Sequence, residues 1–258
     1  MTSSSTALPP AWPIKSREKP NFALAYQPVI DITRGRAAVV AFESLLRISS
    51  RNGMIGPVEV IANAEADGSI VAIDKWVLNE VLALARSRPA LHVWINASQL
   101  SIADPDFLAE AVRALIATET LGRVSFEITE TAHVEAGLLA SRLRKLKRRA
   151  ITVLIDDIRD GFAKEALLLN EAVSGCKLSR DSMLELHSSA RARAEVAELL
   201  GICRERQKNV VLEGIETEED LALAKELGVR WCQGYYFARP AMAEELSRFP
   251  QMRPVPIC

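Results

Sequence analysis

Glu43, Glu127, Glu213 and the adjacent pair Asp156 and Asp157 each stand at the end of a short run of β-branched and apolar residues, and Asn96, Lys177 and Gln233 close three further such runs. Carboxylates gathered from several strand ends repel one another and raise each other's pKa unless cations neutralise them. Lys177 offers one charge, so divalent cations are implied. A donor set of carboxylates and one amide, with no Cys or His, suits Mg²⁺ or Mn²⁺ and disfavours zinc. Side chains alternate along a strand, so the neighbours Asp156 and Asp157 reach one point only where the strand is ending. There, one can bridge two cations while the next holds the second. Two divalent cations ~3.5 to 4 Å apart clamp the attacking and leaving oxygens of phosphoryl transfer. Lys177, flanked by Cys176 and Leu178, is costly to bury unpaired and is expected to face the carboxylates or a substrate phosphate. One acidic residue at a strand end is more often a helix cap or a surface charge; recurrence of polar groups at nearly every candidate strand end is what points to a site.

The strands that would carry these groups are predicted at Phe22 to Ile30, Ala37 to Leu46, Leu91 to Asn96, Val124 to Thr129, Ile151 to Asp156, near Cys176, Val210 to Glu213, and near Trp231. Longer stretches of helical period separate them, the pattern of an α/β fold with a parallel sheet, and their number is what an eight-stranded barrel requires. Asp31, Thr33 and Gly35 between two strand-like runs predict a hairpin, so the first two strands are expected to be antiparallel, unlike those of a regular barrel. Pro57 and Pro105 open helices, and Thr217 followed by Glu218, Glu219 and Asp220 is an N-cap with an acidic first turn, closed by Gly228. The expected architecture is a modified TIM-type (β/α)8 barrel in a single domain over residues 21–250. A disordered Ser- and Pro-rich tail over 1–20 precedes it and a C-terminal tail over 251–258 follows.

Composition narrows the function. With 258 residues and 49% hydrophobic side chains the chain can bury a sizeable core. Lys and Arg number 32 against 33 for Asp and Glu, so no overall field draws it to DNA, RNA or an anionic membrane, and an anionic ligand must be held locally. No apolar run approaches the ~18 to 20 residues of a membrane span, and Met1 to Pro20 lacks the apolar core of a secretory signal, so a cytoplasmic location is expected. Cys176, Cys203, Cys232 and Cys258 form no Cys-x-x-Cys pair and are expected to be reduced, and His92, His133 and His187 lie in unrelated segments and read as structural. The basic run Arg142, Arg144, Lys145, Lys147, Arg148 and Arg149 could meet nucleic acid or lipid heads. Leu139, Leu143 and Leu146 give it a helical core stripe, which favours a solvated face near a helix C-terminus. Trp12, among prolines, reads as tail rather than a docking peptide.

In order along the chain stand Tyr26-Gln27-Pro28-Val29, Glu43-Ser44-Leu45-Leu46-Arg47, Asn96-Ala97-Ser98, Glu127-Ile128-Thr129-Glu130-Thr131, Ile155-Asp156-Asp157, Lys177-Leu178, Glu213-Gly214-Ile215-Glu216-Thr217 and Gln233-Gly234-Tyr235. Together they resemble the EAL-domain phosphodiesterases, which linearise cyclic di-GMP, over Phe22 to Pro240. The resemblance implies the EAL form of the barrel and hydrolysis of cyclic di-GMP to linear pGpG with two divalent cations. It implies one metal held by Glu43, Asn96, Glu127 and Asp156 and a second by Asp156 and Asp157. Glu213, Lys177 and Gln233 would surround the hydrolytic water, Gln27 and Arg47 would contact the nucleotide, and Glu130 would support the loop after the Asp pair. A guanidinium such as that of Arg47 suits phosphate because it offers paired donors. A homodimer is a further family expectation.

Three departures stand out. Ser44 replaces the family's Ala, and Ser179 replaces an Asp after the Lys. The loop that usually reads Asp-Phe-Gly-Thr-Gly-Tyr-Ser-Ser here reads Asp157-Ile158-Arg159-Asp160-Gly161-Phe162-Ala163-Lys164. With the ligand and catalytic set that the resemblance implies complete, the expected activity is a cyclic di-GMP phosphodiesterase. The alternatives are a catalytically weak or inactive receptor or interaction module on the same barrel and an unrelated metal-dependent barrel enzyme with a Lys base.

Overall fold

The computed structural model describes residues 21–33, 38–50, 53–129, 131–158 and 168–249. The two expected tails with Trp12 and Cys258, Glu130, and the loop positions from Arg159 to Lys164 lie outside the described residues. The strands are β1 (Asn21–Asp31), β2 (Ala38–Ser50), β3 (Gly53–Ile55), β4 (Val93–Ser98), β5 (Val124–Thr129), β6 (Val153–Ile155), β7 (Gly175–Leu178), β8 (Asn209–Leu212), β9 (Trp231–Cys232) and β10 (Ala241–Met242). They pair in the order β10-β1-β9-β8-β7-β6-β5-β4-β2-β3, and β1 also pairs with β2, which closes eight of them into a barrel with β3 and β10 outside it. From β2 round to β9 the barrel ladders are parallel. Only β1 runs against its neighbours, along β2 from Asn21 opposite Ser49 to Asp31 opposite Ala38. The modified TIM-type barrel and its antiparallel start are thus as expected; β3 and β10 are too short for periodicity to reveal.

Helices α1 (Val58–Asp67), α2 (Ile70–Ser87), α3 (Gln99–Ala103), α4 (Pro105–Ala117), α5 (Ala136–Lys147), α6 (Arg180–Ser188), α7 (Ala190–Glu205) and α8 (Glu218–Glu226) follow the strands. Pro57 stands at the N-cap of α1. Pro105 opens α4 beside Asp104, whose side chain accepts from the Phe107 N–H at 2.6 Å. Thr217 and Asp220 form a reciprocal capping box on α8, and Gly228 turns the chain with φ 75° just beyond it. α2 shows why these helices sit where they do: Ile70, Ile73, Val77, Leu78, Val81 and Leu82 recur at helical spacing and are all buried against the barrel. Each such side chain contributes about 1.5–3 kcal/mol. Cys176, Cys203 and Cys232 are buried free thiols.

The barrel interior is layered. Residues two apart on a strand share a face, so beneath Glu43, Asn96, Asp156, Glu213 and Gln233 come Ala41, Trp94, Leu154, Val211 and Trp231. These five, with Val29 and Val40, form an apolar cluster separate from the main core, and the Trp94 and Trp231 rings meet at 5.9 Å. This plug closes the barrel directly under the polar residues, so they face water from one side only.

Candidate active site

Lys177 is the hub of the barrel's C-terminal mouth. Its side chain is 1% exposed, and Nζ lies 2.5 Å from Glu213 Oε1, 3.0 Å from Glu43 Oε2, 3.5 Å from Glu127 Oε2 and 3.6 Å from Asp156 Oδ1. Glu43 is the best served of these carboxylates. Asn96 Nδ2 donates to its Oε1 at 3.0 Å, and Gln233 Nε2 donates to its Oε2 at 2.6 Å. Gln233 Nε2 also donates to Gln27 Oε1 at 3.2 Å, and Gln27 Nε2 to the carbonyl of Ala238 at 3.1 Å. The structure therefore brings Gln27, Glu43, Asn96, Glu127, Asp156, Lys177, Glu213 and Gln233 into one cluster. Asp157 is exposed beside it, with φ 44° in the left-handed region that Asp tolerates. β6 ends at Ile155, so the Asp pair sits where the chain leaves the strand, as the alternation argument requires.

Four carboxylates around one ammonium leave negative charge in excess, and the protonation tendencies follow it. Burial disfavours an ionised Glu127, Lys177 offsets only part of this, and Glu43, Asp156 and Glu213 push further, so its pKa lies well above the ordinary range. Burial likewise raises Asp156, and it carries Glu213 to about 7 despite Lys177. Glu43 alone is lowered: burial opposes its ionisation, but Lys177 and the Asn96 and Gln233 amides outweigh it. Burial also weighs against a charged Lys177, and the surrounding carboxylates overcome it and hold the ammonium well above its usual pKa.

The residues present fit divalent cations. Asn96 Oδ1, Glu127 Oε1 and Gln233 Oε1 are buried acceptors with no hydrogen-bond donor, and an unmet buried acceptor costs about 1–3 kcal/mol. A hard cation satisfies such oxygens and the excess charge together. Among the described residues no three His, Cys, Asp or Glu side chains form a ready-made cage; the carboxylates are gathered on Lys177 instead.

Two cavities open on this cluster, and Glu43 and Asp156 line both. One, ≈460 Å³, is also lined by Gln27, Glu213 and Tyr235. The other, ≈570 Å³, is lined by Arg47, Asn96 and Asp157. Arg47 is half-buried, and its Nη1 donates to the Leu46 carbonyl at 2.9 Å.

Residues 13–240 match the EAL domain family. The chain belongs to that family. Cyclic di-GMP phosphodiesterase PA2567 of Pseudomonas aeruginosa is 30% identical over 234 residues, which are 88% of this chain and 39% of the relative. The chain thus spans about two fifths of that protein. The PaMucR phosphodiesterase, solved as a c-di-GMP complex, is 28% identical with a TM-score of 0.78, over 87% of this chain and 94% of that one. Klebsiella pneumoniae BlrP1, solved as a calcium/cy-diGMP complex, is 27% identical with a TM-score of 0.74, over 86% and 56% of the two chains. EAL membership sets aside an unrelated barrel enzyme.

Two departures from the EAL pattern now have a structural account. Ser44 is buried with its hydroxyl donating to the Trp94 carbonyl at 2.9 Å, so the change from Ala leaves no unmet polar group. Ser179 caps α6 and accepts from the Ser182 N–H at 3.4 Å, while Lys177 already has four acidic neighbours without it. A network that the motifs did not reveal lies beside Asn96. The Ser98 N–H donates to Asp74 Oδ2 at 2.9 Å, while the hydroxyls of Ser98 and Thr131 donate to Glu65 Oε1 at 2.8 and 2.9 Å. Asp74 had one legible signal: it is a carboxylate on the buried stripe of α2, one residue after Ile73.

Proposed function

We propose that this EAL domain is a metal-dependent phosphodiesterase that hydrolyses cyclic di-GMP to linear pGpG. The observation that carries the reading is the under-neutralised ring: four carboxylates share the Lys177 ammonium beside buried acceptors that lack donors. The two cavities flanking that ring suit a ligand with two bases and a phosphodiester between them, and PA2567 and PaMucR, named as phosphodiesterases, are relatives. Glu43, Asn96, Glu127 and Asp156 would hold one divalent cation and Asp156 with Asp157 a second, Mg²⁺ or Mn²⁺ by their oxygen donors. Cations bound there would supply Lewis acidity and a clamp on the phosphodiester oxygens.

The chain's own groups do the rest. Glu213, 2.5 Å from Lys177 and lining the smaller cavity, is placed to take a proton from the attacking water. Lys177 stays charged and orients that water, and Gln233 fixes Glu43 through its 2.6 Å bond. Arg47 and Gln27 would grip the nucleotide from opposite cavities. Water forms one new P–O bond, one ribose P–O bond breaks, and the proton ends on the leaving 3′ oxygen. Glu130 is assigned support of the Ile158 to Lys164 loop. A single domain over 21–250, a cytoplasmic setting and a homodimer complete the proposal; no helix among the described residues is long and apolar enough to cross a membrane.

The test is to incubate the protein with cyclic di-GMP and Mg²⁺, Mn²⁺ or a chelator, following pGpG by chromatography and binding by calorimetry. Metal-dependent pGpG is expected, and binding without turnover overturns the proposal in favour of a receptor. Lys177→Ala should lower kcat on the order of a hundredfold with little loss of nucleotide affinity; a pure affinity loss would reassign Lys177 to substrate binding.

A further inference from the structure

The basic run of α5 does not end in open solvent. A groove of ≈540 Å³ separates it from α4, and Leu108, Val112 and Ile116 of α4 offer it apolar side chains, Ile116 being 48% exposed. Arg113 of α4 faces Arg142, Lys145, Arg148 and Arg149 across it, and no Asp or Glu lines the groove. Arg142 is anchored, its Nε donating to the Ala103 carbonyl at 3.1 Å. Arg113, Lys145, Arg148 and Arg149 are exposed and have no ion pair among the described residues.

The helix dipole accounts for part of this. Cations in the last turn of α5 are favoured there, which covers Lys145 and Arg148. It does not cover Arg113, which lies inside α4 rather than at its end. Some cations elsewhere pair locally, as Lys75 does with Glu110 at 2.9 Å, Arg180 with Glu216 at 2.9 Å and Arg191 with Glu195 at 2.6 Å. Others such as Arg86, Arg204 and Lys225 stand singly without an ion pair among the described residues; what sets the groove apart is that four unpaired cations share one cleft. Like charges crowded on neighbouring turns destabilise one another. In a chain of formal net charge −1, this groove is a concentrated exception.

We propose that the α4–α5 groove docks an acidic amphipathic helix of a partner protein, its carboxylates on the four unpaired cations and its apolar stripe on Val112 and Ile116. Charge complementarity sets the sign of the partner, and the apolar floor sets its class. A flat anionic bilayer reaches the exposed Ile116 but not Val112 and Leu108 deeper in the cleft, and a nucleic acid backbone has no apolar side chain to offer any of the three. A helix with apolar residues at three- and four-residue spacing fills both requirements.

The probe is a labelled synthetic peptide of Leu and Glu with the leucines at helical spacing, titrated against the full chain by fluorescence anisotropy. A peptide of the same composition with the stripe scrambled, a DNA duplex and phosphatidylserine vesicles are run in parallel. The striped peptide should bind best and weaken steeply with salt. Arg113→Glu combined with Lys145→Glu and Arg148→Glu should weaken it by about tenfold or more, and Ile116→Asp should weaken it by a smaller factor with the charges intact. All four positions are exposed, so melting temperatures should hold. Equal binding by the charge-reversed protein, equal binding of the scrambled peptide, or tighter binding of DNA or vesicles overturns the proposal. None of these outcomes bears on cyclic di-GMP hydrolysis.

Discussion

Both mouths of the barrel bury a carboxylate completely, and the two lie on opposite sides of the ordinary range. At the N-terminal mouth Asp31, the last residue of β1, accepts from the Thr33 N–H at 3.0 Å, the Thr33 hydroxyl at 2.6 Å and Arg230 Nε at 3.0 Å. Burial pushes its pKa up, and those donors outweigh it and leave the pKa low. At the C-terminal mouth Glu127 has only a shared ammonium at 3.5 Å and one oxygen with no donor, and its pKa is raised well above the usual. Both residues are 0% exposed, but Glu127 lies far deeper in the protein, so the heavier desolvation and the poorer supply of donors act together to separate them. Where the chain completes its own polar network the site is structural, and where it leaves charge unanswered is where divalent cations are proposed to bind.

The sharpest way to break that contrast is Glu43→Gln. It keeps a side chain that can meet Asn96 or Gln233 but removes a charge proposed to bind metal. Turnover should fall on the order of a hundredfold or more, and a Mn²⁺ titration followed by electron paramagnetic resonance should show weaker binding. Unchanged activity with unchanged Mn²⁺ affinity would remove Glu43 from the proposed site.

Asp74 tests an intermediate case on the rim. Burial drives its pKa to about 7, the Ser101 and Ser98 donors only moderate this, and Glu65 adds to it. A carboxyl that binds its proton more tightly folded than unfolded makes stability fall as pH rises from about 4 to about 7. Asp74→Asn cannot ionise, so the fall through this residue, on the order of 1–4 kcal/mol, should vanish from urea melts taken across that window. An identical pH slope in the variant would mean that Asp74 is ionised at neutral pH.

The polar ring was legible in the sequence because strand ends project to one mouth, and seven of its members could be named from position alone. The Pro105 helix start and the Thr217 cap were legible for a similar reason, since such signals act within four residues. What stayed hidden depends on side-chain direction or on distant partners. Glu65 looks like an ordinary surface residue of α1 until Ser98 and Thr131, 33 and 66 positions away, are folded onto it. That Glu43 alone is lowered while its neighbours are raised follows from both the Asn96 and Gln233 amides aiming their N–H groups at it. Gln27 was named through the family resemblance, and only the fold shows it as the link from Gln233 to the Ala238 carbonyl. Arg113 sat too far along the chain from the α5 run for the two to read as one feature.

The N-terminal mouth gives the smallest predicted effect and the cleanest control. Asp31→Ala leaves Arg230 and both Thr33 donors without their acceptor, and bonds to a charged group are worth about 1.5–3 kcal/mol. Arg230 is partly exposed and recovers water, which places the expected loss near the low end, ~1–2 kcal/mol in denaturant melts. Because the native pKa of Asp31 is depressed, its contribution is present above the unfolded value near 4 and lost as pH falls through the native one, so wild type and variant should converge in acid. Activity per folded molecule should hold, since Asp31 lies at the far end of the barrel from Lys177. A variant that kept its stability but lost turnover would mean that the two mouths are coupled, and that the donor-rich end positions the donor-poor one.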